Sequence, residues 1–195
     1  MTDFVTRFDV EFAPKLGMRA PTFRAVIREF LTHKGVSIVE TGCTRQKDNW
    51  LGDGQSTRIW SALTKWQNIG SFRSVDNDEE ACRVASECLE TSAYSSIMCL
   101  DSIQFLRSNQ SYIDLLYLDS YDVDMENPHD AAMHCMFELT TAMPKLHKNS
   151  IVFVDDSPVG PDFKVNGKGL YVAEYMKKLG LMPFTMAYQV AWLMP

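Results

Sequence analysis

Short apolar runs alternate along this chain with longer stretches in which apolar residues recur at helical spacing. Short runs bounded by polar residues are typical of buried strands, and recurrence every three or four residues is typical of amphipathic helices. The pattern predicts strands at 37–39, 72–75, 95–99, 113–118, 151–154, 182–186 and 189–193. It predicts helices near 59–66, 81–89, 103–106, 133–143 and 172–179, and one over 21–32 ahead of the first strand.

Strands that alternate with helices of this length favour right-handed crossovers and a largely parallel sheet. We therefore predict an α/β fold: a Rossmann-like, seven-stranded, mostly parallel sheet with helices on both faces and the last strand antiparallel. The 195 residues fit a single domain. Within it, a helical segment at 1–35 precedes a Rossmann-like core at 36–195.

Composition and charge narrow the classes of function. A net charge of −6 argues against non-specific binding to nucleic acid, which depends on basic surface. No apolar run approaches the roughly 20 residues that span a bilayer, and the first residues lack the unbroken apolar stretch of a signal peptide. The five cysteines form no CxxC pair, so we expect core thiols in the cytoplasm instead of disulfides or a zinc site.

Polar residues follow five of the predicted strands, where ligands bind in sheets of this kind. An isolated Asp or Ser at such a position often caps a helix, but a series of five favours a binding cleft. The strand-end candidates are Glu40, Thr41, Gly42, Cys43, Asp76, Asp101, Ser102, Asp119, Asp155 and Asp156.

Several of these positions suit a nucleoside-like ligand. Gly42 lets the backbone pass close to a ligand. Asp76 can accept hydrogen bonds from two ribose hydroxyls, which leaves Asp78 to cap the next helix. The helix that begins near 54–57, at Gln55, Ser56 and Thr57, offers free N–H groups to a carboxylate.

These segments resemble the motifs of the class I S-adenosylmethionine-dependent methyltransferase superfamily. Residues 38–43, Ile-Val-Glu-Thr-Gly-Cys, look like its first motif, 75–76 like the acidic end of its second strand, and 100–102 lie where the family contacts adenine. A longer loop, 44–54, replaces the usual tight glycine-rich turn and is expected to fold over the methionine part of the cofactor. The resemblance implies S-adenosylmethionine as cofactor, bound by Glu40, Thr41, Gly42, Cys43, Gln55, Ser56, Thr57, Asp76, Asp101, Ser102 and Asp119.

Asp119, Asp155 and Asp156 end two strands that are neighbours in this topology. Three carboxylates that converge without Lys or Arg partners would repel one another, and a hard cation such as Mg²⁺ would relieve the repulsion. The arrangement is similar to that of metal-dependent O-methyltransferases, including the catechol, macrocin and rhamnosyl types, and of cephalosporin hydroxylases. The resemblance implies a divalent metal at these three residues. The alternative is that Asp155 and Asp156 cap a loop while Asp119 faces the cofactor.

The reaction implied is O-methylation of a small hydroxylated acceptor, a sugar or a natural product. Asp119 would act in catalysis, with Asp122 or His129 as base, although His129 also suits an exposed helix start. The loop with Lys164 and Lys168 either covers the acceptor or is a solvated connection. Two other classes stay open: an inactive cofactor-binding module, and a nucleotide-dependent oxidoreductase on a related fold. We expect no membrane partner, and a homo-oligomer paired through the N-terminal helix stays open.

Overall fold

The computed structural model describes residues 3–68, 70–90 and 92–195, and these form a seven-stranded sheet with helices on both faces. The strands are β1 (Ser37–Thr41), β2 (Ser71–Asp76), β3 (Ser95–Cys99), β4 (Leu115–Leu118), β5 (Ile151–Val154), β6 (Thr185–Met186) and β7 (Val190–Leu193). The helices are α1 (Phe4–Glu11), α2 (Ala20–Thr32), α3 (Ser56–Gln67), α4 (Glu79–Cys88), α5 (Ser102–Ser108), α6 (His129–Ala142) and α7 (Leu170–Lys178).

The strand order is β3-β2-β1-β4-β5-β7-β6. Strands β1 to β5 are parallel, and β7 pairs antiparallel with both β5 and β6. The predicted fold class, including the antiparallel last strand, is confirmed. A reversed strand inserted beside β5 departs from the strand order of dinucleotide-binding Rossmann folds, in which the sixth strand simply continues the sheet.

Two hydrophobic cores lie on opposite faces of the sheet because successive side chains of a strand point to opposite sides. In β4, Leu115 and Tyr117 join the core beneath α1, α2 and α3, whereas Leu116 and Leu118 join the core beneath α5, α6 and α7. All four side chains are buried. The central strands are therefore covered on both faces, which explains why they are almost wholly apolar.

Helices α1 and α2 belong to the first of these cores. Phe4, Phe8 and Phe12 recur every four residues, so one face of α1 and the residue after it is aromatic and buried. Asp3 caps α1 by accepting a hydrogen bond from the Thr6 N–H at 2.7 Å. The sequence predicts only the second of the two helices, since charged residues interrupt the apolar pattern of the first.

Among the strands, β6 differs most from its predicted bounds. Strand β6 has only two residues, and β7 begins one residue later than predicted. Strand β4 begins at Leu115 instead of residue 113. Within the described residues, none of the helices combines the length and the apolar character that a membrane span needs.

Candidate functional site

The carboxyl ends of the parallel strands open into one cleft made of two adjoining cavities of about 250 and 130 Å³. The larger extends toward the 44–54 loop and the end of β5, and the smaller toward the end of β3. The cleft lies at the edge of the sheet where the sequence places ligand chemistry. Residues shared by both walls join the cavities: Gly42, Asp76, Asn77, Ser120 and Tyr121.

The cleft brings together about half of the residues singled out from the sequence. Those in its walls are Gly42, Cys43, Asp76, Asp101, Ser102, Asp119, Asp122 and Asp156. Those that contribute to neither wall are Glu40, Thr41, Gln55, Ser56, Thr57, His129 and Asp155. The first set is available to a ligand in the cleft, and the second set lies elsewhere in the fold.

Gly42 is required by the fold itself. Its φ is +79°, a region that favours glycine. A Cβ at this position would lie 2.6 Å from the carbonyl carbon and oxygen of Asp119. The turn after β1 therefore passes against the end of β4, and the glycine allows that close approach.

Asp76 ends β2 with its carboxylate already fixed by the backbone. One oxygen accepts a hydrogen bond from the Cys43 N–H at 3.1 Å, and the other from the Asp78 N–H at 3.0 Å. Each carboxylate oxygen can accept a second hydrogen bond, so the half-buried group still has acceptor capacity toward both cavities. Asp78 caps α4 by accepting from the Ala81 N–H at 2.8 Å, as predicted.

The smaller cavity ends at the start of α5. Asp101 caps this helix by accepting a hydrogen bond from the Gln104 N–H at 2.8 Å, and it also lines the cavity. Ser102 contacts His134, whose Nε2 lies 3.3 Å from Glu138 Oε1. The hydrogen bond with Glu138 raises the pKa of His134. The position of His134 in the cavity wall makes it available to a ligand.

At the start of α3, where free backbone N–H groups are expected to meet a carboxylate, the side chains are engaged within the protein. Gln55, Ser56 and Thr57 are buried outside the cleft walls. Thr57 Oγ1 donates to Glu40 Oε2 at 2.6 Å and accepts from the Thr44 N–H at 3.0 Å. These contacts tie β1, the 44–54 loop and α3 together beneath the cleft floor.

Glu40 lies at the centre of that buried network. Its side chain is fully buried, and Oε2 accepts hydrogen bonds from both Thr57 and Ser74. Oε1 has no partner among the described residues. Burial raises the pKa of Glu40 to about 7, against the opposing effect of the nearby hydroxyls. Thr41 is likewise buried with its hydroxyl unpartnered among those residues.

The 44–54 loop forms one wall of the larger cavity through Arg45, Gly52 and Asp53. The Asp53 carboxylate accepts hydrogen bonds from the backbone N–H of Arg45 at 3.1 Å and from the Gln55 side chain at 3.0 Å. Arg45 Nη1 reaches across to Asp122 Oδ1 at 2.7 Å. The loop is therefore an ordered wall, closed on itself through Asp53.

Arg19, which no sequence motif singles out, holds the carboxylates at the end of β5. Its Nε donates to both oxygens of Asp155 at 3.0 and 3.1 Å, and Nη2 to Asp156 Oδ1 at 3.0 Å. The guanidinium also lies 4.6 Å from the centre of the Tyr188 ring. Asp155 is fully buried and accepts a further hydrogen bond from the Tyr117 hydroxyl at 2.6 Å. Tyr117 is thus a core residue.

Lys168 completes this charge cluster from the turn before α7. Its Nζ lies 2.7 Å from Asp119 Oδ1 and 3.0 Å from Asp156 Oδ2. Burial by itself lowers the pKa of Lys168, but the carboxylates of Asp119 and Asp156 raise it above its usual value, so the ammonium stays charged. For Asp156, Lys168 and the Tyr188 hydroxyl outweigh the effect of burial and lower the pKa.

The metal expected at Asp119, Asp155 and Asp156 does not fit this arrangement. That expectation assumes carboxylates without Lys or Arg partners, and the assumption is wrong, because Arg19 and Lys168 neutralise them. The described residues contain no group of three or more His, Cys, Asp or Glu side chains placed to hold a metal ion. All five cysteines are free thiols, four of them buried.

The two predicted bases differ in position. Asp122 lies in the cleft wall, exposed and paired with Arg45. His129 begins α6 on the surface, where its Nδ1 lies 2.6 Å from the Tyr171 hydroxyl, and it contributes to neither cavity. Of the aromatic residues, Tyr121 lines both cavities, whereas Trp50 packs outside them between Lys15 and Arg58.

Among the solved structures that share this fold are several methyltransferases. CalS11, a TDP-rhamnose 3′-O-methyltransferase of calicheamicin biosynthesis, matches with a TM-score of 0.63 at 16% identity, over 96% of this chain and 86% of that chain. Podospora anserina PaMTH1, solved with S-adenosylhomocysteine, matches with 0.61 at 14%, over 99% and 88%. MycE of the mycinamycin pathway, solved with Mg and S-adenosylhomocysteine, matches with 0.64 at 13%, over 99% and 55%.

At these identities the likeness concerns the fold, and the chain has the Rossmann-like fold of class I methyltransferases. Neither a protein-family model nor a curated protein sequence matches it. The evidence for its activity therefore lies in the residues of its own cleft.

Proposed function

We propose that this protein is an S-adenosylmethionine-dependent methyltransferase that methylates a hydroxyl group of a small acceptor, such as a sugar or a natural product. The observation that carries the proposal is the continuous cleft, which runs past the ends of β1, β2, β3 and β4 on a methyltransferase fold. Among the structural neighbours, CalS11 is an O-methyltransferase of a sugar.

Each part of the cleft suits one part of the cofactor. Asp76, between the two cavities, would accept hydrogen bonds from the ribose hydroxyls. Asp101 and Ser102 in the smaller cavity would lie beside the adenine. The methionine part would occupy the larger cavity between Gly42 and the 44–54 loop.

The charge of the larger cavity suits the reactive group of the cofactor. Carboxylates outnumber guanidinium groups in its wall: Asp53, Asp76, Asp78, Asp119, Asp122 and Asp156 face Arg19 and Arg45. A sulfonium cation is attracted to such a wall, and the neutral thioether of the product is not. The cleft would therefore bind S-adenosylmethionine more tightly than S-adenosylhomocysteine.

The reaction is a displacement at the methyl carbon. Bound S-adenosylmethionine would supply the methyl group to the acceptor oxygen and leave as the thioether, while the hydroxyl proton would go to a base. Asp119 and Asp122, which both line the larger cavity, would be the candidates to take that proton. Holding the acceptor and the sulfonium in line supplies most of the remaining rate acceleration.

The five free thiols are consistent with a reducing compartment, and we place the protein in the cytoplasm. The antiparallel strand beside β5 weighs against a dinucleotide-dependent oxidoreductase. A cofactor-binding module without catalysis is separated from an enzyme by turnover, which is measured as transfer of labelled methyl groups to hydroxylated acceptors.

The first test is calorimetric titration with S-adenosylmethionine and S-adenosylhomocysteine. We expect micromolar binding that Asp76→Ala weakens by about 1–3 kcal/mol, the cost of leaving ribose hydroxyls unpaired. Asp130→Ala is the matched control, because Asp130 is exposed on α6 outside both cavities and its loss should leave the affinity unchanged.

Two results would contradict the proposal. One is that neither compound binds to folded protein. The other is that Asp76→Ala and Asp130→Ala bind the cofactor with equal affinity, since the ligand would then occupy another part of the molecule.

A further inference from the structure

The Lys168 ammonium is enclosed by oxygen atoms at the ends of β4 and β5. Nζ donates to Asp119 Oδ1 at 2.7 Å, to the Asp119 carbonyl oxygen at 2.9 Å and to Asp156 Oδ2 at 3.0 Å. An ammonium has three N–H donors, so these contacts use all of them. The side chain is only 4% exposed. Lys168 therefore has no donor left for a ligand, and its contacts are with the protein's own carboxylates.

Charge counting shows what this lysine replaces. Three carboxylates around a divalent cation carry one net negative charge. The carboxylates of Asp119, Asp155 and Asp156 together with the cations of Arg19 and Lys168 also carry one net negative charge. The side chains at the end of β5 therefore have, by themselves, the same net charge as three carboxylates around a divalent metal ion.

The turn that carries Lys168 is shaped to bring it there. Gly167 has a φ of +63°, and a Cβ on it would lie 1.9 Å from the Asp156 carbonyl oxygen. A Cβ on Gly169 would lie 2.6 Å from Ser157 Oγ. The Lys168 N–H donates to that same Asp156 carbonyl at 3.0 Å. The sequence Gly-Lys-Gly therefore packs against the end of β5 too closely for larger side chains, and this contact directs Lys168 into the carboxylates.

We propose that Lys168, together with Arg19, takes the place of a divalent cation at the ends of β4 and β5, so that this cleft works without a metal. Lys168 is a positioning residue: it holds Asp119 and Asp156 against their mutual repulsion while both line the cavity. The role of this positioning in methyl transfer rests on the proposed function. The occupation of the cation position by Lys168 rests on its contacts and does not depend on the proposed function.

The test is to remove the ammonium and ask whether a metal binds. Lys168→Ala frees Asp119 Oδ1, the Asp119 carbonyl and Asp156 Oδ2, which are oxygen ligands of the kind that Mn²⁺ and Mg²⁺ take. The purified proteins are titrated with MnCl₂, and free Mn²⁺ is followed by electron paramagnetic resonance. We expect no binding to the wild type below millimolar Mn²⁺ and at least a tenfold gain of affinity in Lys168→Ala.

Two further variants test whether the gain in Mn²⁺ affinity comes from removal of the Lys168 charge. Lys168→Arg keeps a cation at the position and should not bind Mn²⁺. Lys164→Ala removes an exposed lysine of the same loop, paired only with Asp162, and should behave as the wild type. Circular dichroism of each variant establishes that it is folded.

The proposal is overturned if wild-type protein binds Mn²⁺ at micromolar concentration and Asp156→Asn loses that binding, or if folded Lys168→Ala gains no affinity. Should Lys168→Ala fail to fold, the wild-type titration alone decides. The same samples are titrated with S-adenosylhomocysteine in the presence of EDTA. Failure of that binding contradicts the methyltransferase proposal and leaves the Mn²⁺ result for Lys168 standing.

Discussion

Among single residues, Glu40 shows most directly how burial changes the chemistry of a side chain. It belongs to the segment that looks like a cofactor-binding motif, yet its carboxyl group lies beneath the cleft with hydroxyls on one oxygen and no partner among the described residues on the other. Burial disfavours the ionised form, and the pKa rises to about 7. The Glu40 carboxyl group therefore supports the turn after β1 from beneath the cleft, and it acts on the cleft only through that turn.

Glu40 predicts a pH dependence of stability. The unfolded chain loses this proton near the ordinary pKa of 4.5, whereas the folded protein keeps it until about pH 7. The folded state thus holds more protons between these values, and the free energy of unfolding falls as pH rises through that window, by on the order of 3 kcal/mol. Urea denaturation of wild type and Glu40→Gln from pH 4.5 to 8 measures this.

Glu40→Gln should lose that slope, because the amide does not ionise. Glu126→Gln, at an exposed position, should keep it. A slope that is the same in wild type and Glu40→Gln would show that the carboxyl group ionises freely in the folded state.

Among elements, the helices that follow β2 and β3 begin with aspartate caps that also face the cleft. Asp78 caps α4 and Asp101 caps α5, and both carboxylates contribute to cavity walls. An aspartate at such a position can therefore cap a helix and contact a ligand at the same time. A carboxylate has enough lone pairs to accept from a backbone N–H and from a ligand at once.

Asp101→Ala and Asp3→Ala separate the two roles. Each removes a helix cap with one backbone N–H contact, at 2.8 and 2.7 Å, so each should lower the free energy of unfolding by about 1 kcal/mol. Only Asp101→Ala should also weaken binding of S-adenosylmethionine, because Asp3 lies on α1, away from the cleft. Thermal denaturation and calorimetry on the same samples give both quantities. Unchanged affinity in Asp101→Ala would leave Asp101 as a cap alone.

In the whole molecule, Arg19 joins the N-terminal helices to the carboxyl edge of the sheet. It lies 136 residues from Asp155 in sequence, yet it is 6% exposed and ion-paired with a fully buried carboxylate. Arg19 also donates to the Leu51 carbonyl oxygen at 2.9 Å, so one guanidinium connects the segment before α2, the 44–54 loop and β5. The N-terminal helices therefore complete the cleft as well as the core.

Arg19→Ala should lower the free energy of unfolding by about 3–5 kcal/mol, because it leaves the buried Asp155 charge without its partner. Arg24→Ala breaks a partly exposed pair with Asp9 on the same segment and should cost about 1 kcal/mol or less. Urea denaturation compares the two. Adding Asp155→Asn to Arg19→Ala should restore part of the loss. Equal effects of the two arginine variants would mean that Asp155 is adequately solvated.

Much of the fold could be predicted because its signals are local. The apolar runs of β1, β4 and β5 and the helical spacing of α2 and α4 follow from which side chains must leave water. The alternation of these elements restricts the topology, and the topology places Asp76, Asp101 and Asp119 at one edge. The position of the cleft and of these acids was therefore determined by the sequence on its own.

The tertiary structure alone decided which of those acids stand free and which are neutralised. Arg19 and Lys168 reach Asp155 and Asp119 from 136 and 49 residues away, and no local pattern marks either residue. Gln55, Ser56 and Thr57 look like a ligand-binding helix start, but the 44–54 loop and Glu40 take up their side chains. Periodicity depends on neighbours along the chain, whereas charge pairing depends on distances in space that only the packed fold establishes.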